Sequence, residues 1–165
     1  DGEVIVRPTA LGAAWFVDSV LGVRGAAEEM QSLGLVDLAS TAVVAERDLP
    51  EQTAYSTEGN IALTEYAPNR LVYHYNAPEE VFAVFSEIFY DKGWSATIDG
   101  NAADAIRVDY ILRGMALPAG EHTIEWSFRA PYWTLTQSIT AICSILVILS
   151  IIGALIYNKR KKDEE

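Results

Sequence analysis

Acidic side chains dominate the chemistry available to this chain: 23 Asp and Glu stand against 12 Lys and Arg, with two His and one Cys, for a formal charge of −11. Carboxylates in such numbers fall into pairs by chance. Glu79-Glu80 follows Pro78 and reads as the start of a strand or turn, and Asp104 and Asp109 flank Arg107 as expected salt-bridge partners. No acid and base stand out at the separation glycoside hydrolysis requires. His74 alternates with Tyr73 and Tyr75 in a strand-like run, which suits a structural histidine, and His122 follows the Ala119-Gly120 turn as an exposed flanking residue. There is no nucleotide-binding glycine loop, GxSxG, HExxH or Cys/His nucleophile pair, and one Cys with two His fits no usual zinc spacing. We therefore expect no catalytic residue, metal ligand or cofactor within these residues. The acidic balance also excludes a nucleic-acid partner, whose phosphates call for Lys and Arg.

Aromatic rings offer a different chemistry, because a flat ring matches the C–H face of a pyranose. Tyr90, Trp94, Tyr110, Trp126 and Tyr132 are the available ones. Aromatics at strand spacing are usually core, as we expect for Trp126. Tyr90 and Trp94 instead bracket the polar turn Asp91-Lys92-Gly93, at what should be the edge of a sheet. Arg113 interrupts the apolar run Tyr110–Leu117 and either points outward on the strand's polar side, which is the expectation, or is a paired, partly buried cation. The candidate sugar contacts are Tyr90, Trp94 and Arg113.

Strands must position these groups. Residues 60–65, 71–76, 81–90, 94–98, 106–117 and 122–128 alternate or run apolar as strands do. The segment 81–90 is apolar on both faces, as a strand between two layers should be. Asp99-Gly100 and Ala119-Gly120 supply tight turns. Nearer the amino terminus, residues 4–7, 14–20 and 41–45 read as strands, 25–33 as a short helix ending before Gly34, and 48–57 as a loop. The fold class expected is mainly β, an antiparallel, jelly-roll-like β-sandwich with a short helix, followed by one transmembrane α-helix.

That last helix is written plainly. From Ala130 to Asn158 there is no Asp, Glu, Lys, Arg or His, and within Ile139–Tyr157 only Thr140, Ser144 and Ser150 are polar. A lone span in lipid must be helical to satisfy its backbone, and the hydroxyls can bond back to the preceding turn. Tyr132, Trp133 and Tyr157 suit the two interfaces. Lys159, Arg160, Lys161 and Lys162 follow directly, so the positive-inside rule places the carboxy terminus in the cytoplasm. The expected division is an extracytoplasmic β-rich domain over residues 1–134, a transmembrane helix over 135–158 and a cytoplasmic tail over 159–165. Cys143 falls inside the span as a small apolar residue. Translocating a domain ahead of such a span takes an upstream signal, and no apolar leader follows Asp1. The expectation is a removed signal peptide or the last part of a longer membrane protein.

Two motifs go further. The run Tyr90–Gly100 (YDKGWSATIDG), then Val108–Gly114 (VDYILRG) and Leu117–Ile124 (LPAGEHTI), resembles the carboxy-terminal region of the YfhO-type bacterial membrane proteins. Ala14–Val17 and Thr41–Val44 are similar to that family in the same order, as is a final membrane helix. The resemblance implies a large polytopic protein like the integral-membrane GT-C glycosyltransferases. Such proteins transfer a sugar from a polyprenyl-phosphate carrier to an acceptor outside the cytoplasm, often an envelope glycan. The presumed catalytic acid of that family lies in an outward loop near the amino terminus of a many-helix core, and no position here corresponds to it. The implied role is a non-catalytic outer domain with the last helix, its partners being the lipid bilayer, the remainder of the polytopic protein or other membrane helices, polyprenyl-phosphate sugar and envelope glycan. The alternatives are a single-span, membrane-anchored module that binds glycan or protein, and a small structural subunit whose helix packs through Ser150, Gly153 and Ala154.

Overall fold

The computed structural model describes residues 10–163, so the strand expected over residues 4–7 lies outside the described residues. The chain divides into two compact units, Asp1–Phe128 and Arg129–Glu165.

In the first unit, alternation along the chain produces eleven strands among the described residues: β1 (Ala14–Val17), β2 (Ser19–Val23), β3 (Thr41–Ala45), β4 (Asn60–Ala67), β5 (Arg70–Ala77), β6 (Val81–Ile88), β7 (Trp94–Ile98), β8 (Asn101–Ala103), β9 (Ile106–Val108), β10 (Leu112–Leu117) and β11 (Gly120–Phe128). Helix α1 (Ala26–Ser32) joins β2 to β3. One sheet has the order β1-β6-β10-β9-β3-β2, the other β4-β5-β11-β7-β8. Neighbours are antiparallel except β2 and β3, which run parallel as the helical connection requires.

The sheets share a core. Phe16, Val81, Ala83, Phe85, Met115 and Leu117 of the first meet Leu71, Tyr73, Tyr75, Ile124 and Trp126 of the second. Because successive side chains point to opposite faces, Phe82 and Val84 enter a second cluster with Val17, Val20, Ala42, Val44 and Val108. All five residues from Val81 to Phe85 are buried, so β6 is apolar on both faces as expected. Gly114 permits this second cluster: a Cβ there would lie 2.8 Å from the Phe82 ring and 2.6 Å from a Val108 methyl.

Three segments differ from expectation. The run over residues 14–20 breaks at Asp18, whose N–H bonds Ser40 and whose carbonyl accepts from Tyr55, so the chain leaves β6 and pairs with β3. The run over 106–117 is two strands, because Asp109 and Tyr110 both take left-handed φ, 49° and 72°. The short β8 continues from the Asp99-Gly100 turn, where φ is 50° and 81°, and is too brief to show in the sequence pattern.

Asp109 is locked to β3. Its N–H donates to the Val43 carbonyl at 2.7 Å, and its Oδ1 accepts from Val43 N–H at 2.8 Å. Beside it Glu29 of α1, fully buried, accepts from Arg107 Nη2 and from the Tyr110 N–H, both at 2.9 Å. The salt bridge expected from Asp104 or Asp109 to Arg107 is therefore replaced by one from Glu29. A carboxylate in the middle of a seven-residue helix fixes that helix to the β9–β10 corner. Burial, opposed by the Val43 bond and aided by the Glu29 charge, pushes the Asp109 carboxyl up to about 6.

The second unit contains α2 (Trp133–Asp163), in which Trp133–Ile156 is long and apolar enough to cross a membrane. Its 24 residues reach about 36 Å, more than the roughly 30 Å hydrocarbon layer. Thr136, Thr140 and Ser144 each donate to the carbonyl four residues back, at 3.0, 2.9 and 2.8 Å, and so do not burden lipid with free hydroxyls.

Gly114→Ala is expected to lower stability by about 2–3 kcal/mol through overpacking, read from the urea midpoint of the chain in detergent. Asp109 gives a pH dependence. Its carboxyl is held protonated to higher pH when folded than the ordinary 3.8 of the unfolded chain, so the stability it contributes is full below about 4 and is lost as pH rises through about 6. Asp109→Asn should remove that slope. The difference between the two proteins in unfolding free energy should change by on the order of 2–3 kcal/mol between pH 4 and 7.

Candidate functional site

Arg113 lies on the same row of β10 as Met115 and Leu117, so it points between the sheets and is only 3% exposed. The outward orientation expected from the sequence is thus incorrect. The reason is long-range: two indoles of the facing sheet receive the guanidinium, with Trp94 of β7 4.5 Å and Trp126 of β11 4.7 Å from its carbon. A planar cation between two electron-rich faces replaces part of its lost hydration. Behind it Phe85, Arg113's partner across β6, sets its ring edge-on to Trp126 at 5.4 Å and to Tyr73 at 5.0 Å. The pairing of β10 with β6 slips between Leu112 and Arg113, a bulge that re-aims the local backbone. At this bulge the Ile88 carbonyl accepts Arg113 Nε–H at 3.0 Å.

Arg113 Nη1, Trp126 Nε1 and Tyr73 Oη are buried without a hydrogen-bond partner among the described residues. Burial draws the guanidinium below its ordinary value, against the opposing influence of Glu87 and Tyr73. Burial also raises the Tyr73 phenol to about 12, so at neutral pH it is a neutral hydroxyl.

This cation forms part of a cleft of about 350 Å³ at the edge of the sandwich, lined by Tyr90, Asp91, Trp94, Asp104, Arg113 and Trp126 among others. Ala102 and Ala103 of β8 leave room for it. The structure therefore brings Tyr90, Trp94 and Arg113 together. Tyr90 is half exposed, and Trp94 contacts Phe128 with ring centres 5.4 Å apart. Trp126, expected as core, is both core and cleft wall. Chemically, the rings present flat apolar faces, the Asp91 and Asp104 carboxylates can accept from hydroxyls, and the guanidinium can donate.

A cleft of about 390 Å³ beside α1 contains Arg24, Arg47 and Arg107. Each is neutralised by a carboxylate, from Glu46, Asp48 and Glu29 respectively. The Arg113 cleft differs in that its cation has no such partner among the described residues.

The histidines do not form a base. His122 Nδ1 is 2.6 Å from Asp99 Oδ2 and Nε2 is 3.1 Å from the Ala119 carbonyl, so both nitrogens face acceptors and suit an imidazolium. The Asp99 contact, seconded by Ala119, raises the His122 pKa, and His122 in turn lowers that of Asp99. Gly120 has φ 129°, and a Cβ there would lie 2.6 Å from His122 Nε2. His74 Nδ1 is 2.9 Å from the Thr123 hydroxyl, a cross-strand contact. Tyr110 sits under Arg107 at the β9–β10 corner, away from the cleft residues, and Tyr132 belongs to the second unit. Among the described residues no group of three or more His, Cys, Asp or Glu could hold a metal ion.

Comparison with known proteins gives one family and one curated relative. Residues 32–140 match the family described as bacterial membrane protein YfhO. "Uncharacterized protein YfhO" of Bacillus subtilis (strain 168) is 28% identical over 94 residues, which are 57% of this chain and 10% of that protein. The chain thus spans about a tenth of the length of the relative it matches. No solved structure matches. With the family match extending over well more than half of its length, from β3 through β11 and into the start of the apolar helix, the chain belongs to the YfhO family of bacterial membrane proteins.

Proposed function

We propose that this chain is the non-catalytic outer domain and last transmembrane helix of a polytopic cell-envelope glycosyltransferase that uses a polyprenyl-phosphate-linked sugar, and that Tyr90, Trp94 and Arg113 contact a glycan. The observation that carries the reading is the convergence of these three side chains on one cleft, in a member of this membrane protein family. An enzyme of that class must hold a lipid-borne donor and a water-borne acceptor together, and positioning supplies much of the rate. A rigid β-domain with an aromatic cleft is suited to orient the acceptor. The basic run Lys159–Lys162 supports a topology with residues 1–134 outside the cytoplasm and the carboxy terminus inside.

A second reading, a single-span anchored module that binds glycan or protein, rests on the same cleft and the same helix without any transferase. Sugar transfer from polyprenyl-phosphate separates the two. The full-length protein is expected to turn over and this chain alone is not. Trp94→Ala in the full-length protein should lower the acceptor-dependent kcat/KM on the order of tenfold, the loss of one aromatic contact of about 1.4 kcal/mol. Turnover by the isolated chain, or an unchanged rate in the variant, would count against the transferase reading. Cysteine labelling of residues placed near either end of α2 tests the topology, with reagent reaching the Lys159 end only from the cytoplasmic side.

A further inference from the structure

We propose that the cleft is built for an acidic sugar, with its carboxylate or phosphate held by the guanidinium of Arg113. This deepens the glycan-contact reading and rests on it. Arg113 is 97% buried by the complement of its 3% exposure, lines the cleft, and holds a guanidinium N–H that nothing among the described residues accepts. Trp126, also lining the cleft, carries a second such N–H on the ring that the guanidinium stacks against. Both groups are donors only. A neutral hydroxyl offers one oxygen that must share its own proton. A carboxylate or phosphate offers several lone pairs and the charge that an unpaired buried cation lacks. Burial weakens the guanidinium's hold on its proton in the free protein, and an anion beside it would restore that hold.

The mouth adds a second level of choice. Asp91 and Asp104 are exposed and line the same cleft, so they oppose a bare anion. They also accept hydrogen bonds from hydroxyls, which a sugar spreads around a ring and inorganic phosphate carries only on the anion itself. Tyr90 and Trp94 supply the apolar faces. Glu87, half-buried, acts on the guanidinium at longer range without bonding to it. The arrangement selects an anion carried on a polyhydroxylated ring over either part alone.

The test uses the full chain in phospholipid nanodiscs, labelled with nitrogen-15, and follows the indole N–H signal of Trp126, identified by its loss in Trp126→Phe. Glucuronate and glucose 6-phosphate are expected to shift it saturably, with an affinity at least tenfold above that for glucose and above that for inorganic phosphate. Added sodium chloride should weaken glucuronate and leave glucose unchanged. Arg113→Lys should lose most of the preference for the acidic sugars while the remaining amide signals keep their positions. If that variant does not fold, the salt dependence in the unaltered protein decides. Equal affinity for glucose and glucuronate would overturn the inference and leave the glycan contact standing. No saturable shift with any sugar would overturn both. Inorganic phosphate binding as tightly as glucuronate would also overturn the inference, leaving an anion contact with no part for the sugar.

Discussion

A single guanidinium between two indoles organises one end of this sandwich. Arg113 comes from one sheet, Trp94 and Trp126 from two adjacent strands of the other, so the contact spans the layers and fixes how far apart they stand at that edge. Farther in, Met115 and Leu117 on the same row do the equivalent work by apolar burial. An arginine costs more to bury than either. Its retention in a row otherwise devoted to core is best understood through the cleft it lines.

A second polar centre lies across the first sheet. Glu29, Arg107 and the Asp109–Tyr110 corner hold α1 against β3 and β9 through buried hydrogen bonds with little apolar contact. Such an arrangement is directional where apolar burial is not, and it sets the left-handed corner that separates β9 from β10. That corner in turn delivers Arg113 to its position four residues later. The two polar centres are thus linked through a short stretch of backbone.

Much of this was visible in the residues. The alternation in β7 and β11, the Asp99-Gly100 turn, the short α1 and the apolar α2 could each be read locally, because each depends on neighbours in sequence. What escaped depended on distant partners. Arg113 reads as an outward residue because its immediate neighbours are apolar, and its two indoles lie 19 residues before and 13 after it. Asp109 reads as a salt-bridge partner of Arg107 because its real partner, Val43, is 66 residues away. The candidate site was half legible: aromatic residues beside a polar turn marked Tyr90 and Trp94, whereas the role of Trp126 as a wall needed the register of β11 against β7. The unbroken apolar run through residues 106–117 concealed a corner made by two non-glycine residues in left-handed geometry, which no local rule anticipates.

The pairing of β1 with β6 has a consequence for biosynthesis. Phe16 and Val17 find their partners at Ala83 and Phe82, and β6 itself is flanked on its other side only by β10. A chain made from its amino terminus holds the first strand unmated while some seventy further residues emerge. Hairpins such as β4–β5 can close early, whereas the first sheet is completed only when β6, β9 and β10 have been made. Until then its apolar edge is open to wrong partners, so a chaperone acting during synthesis has its task concentrated at β1.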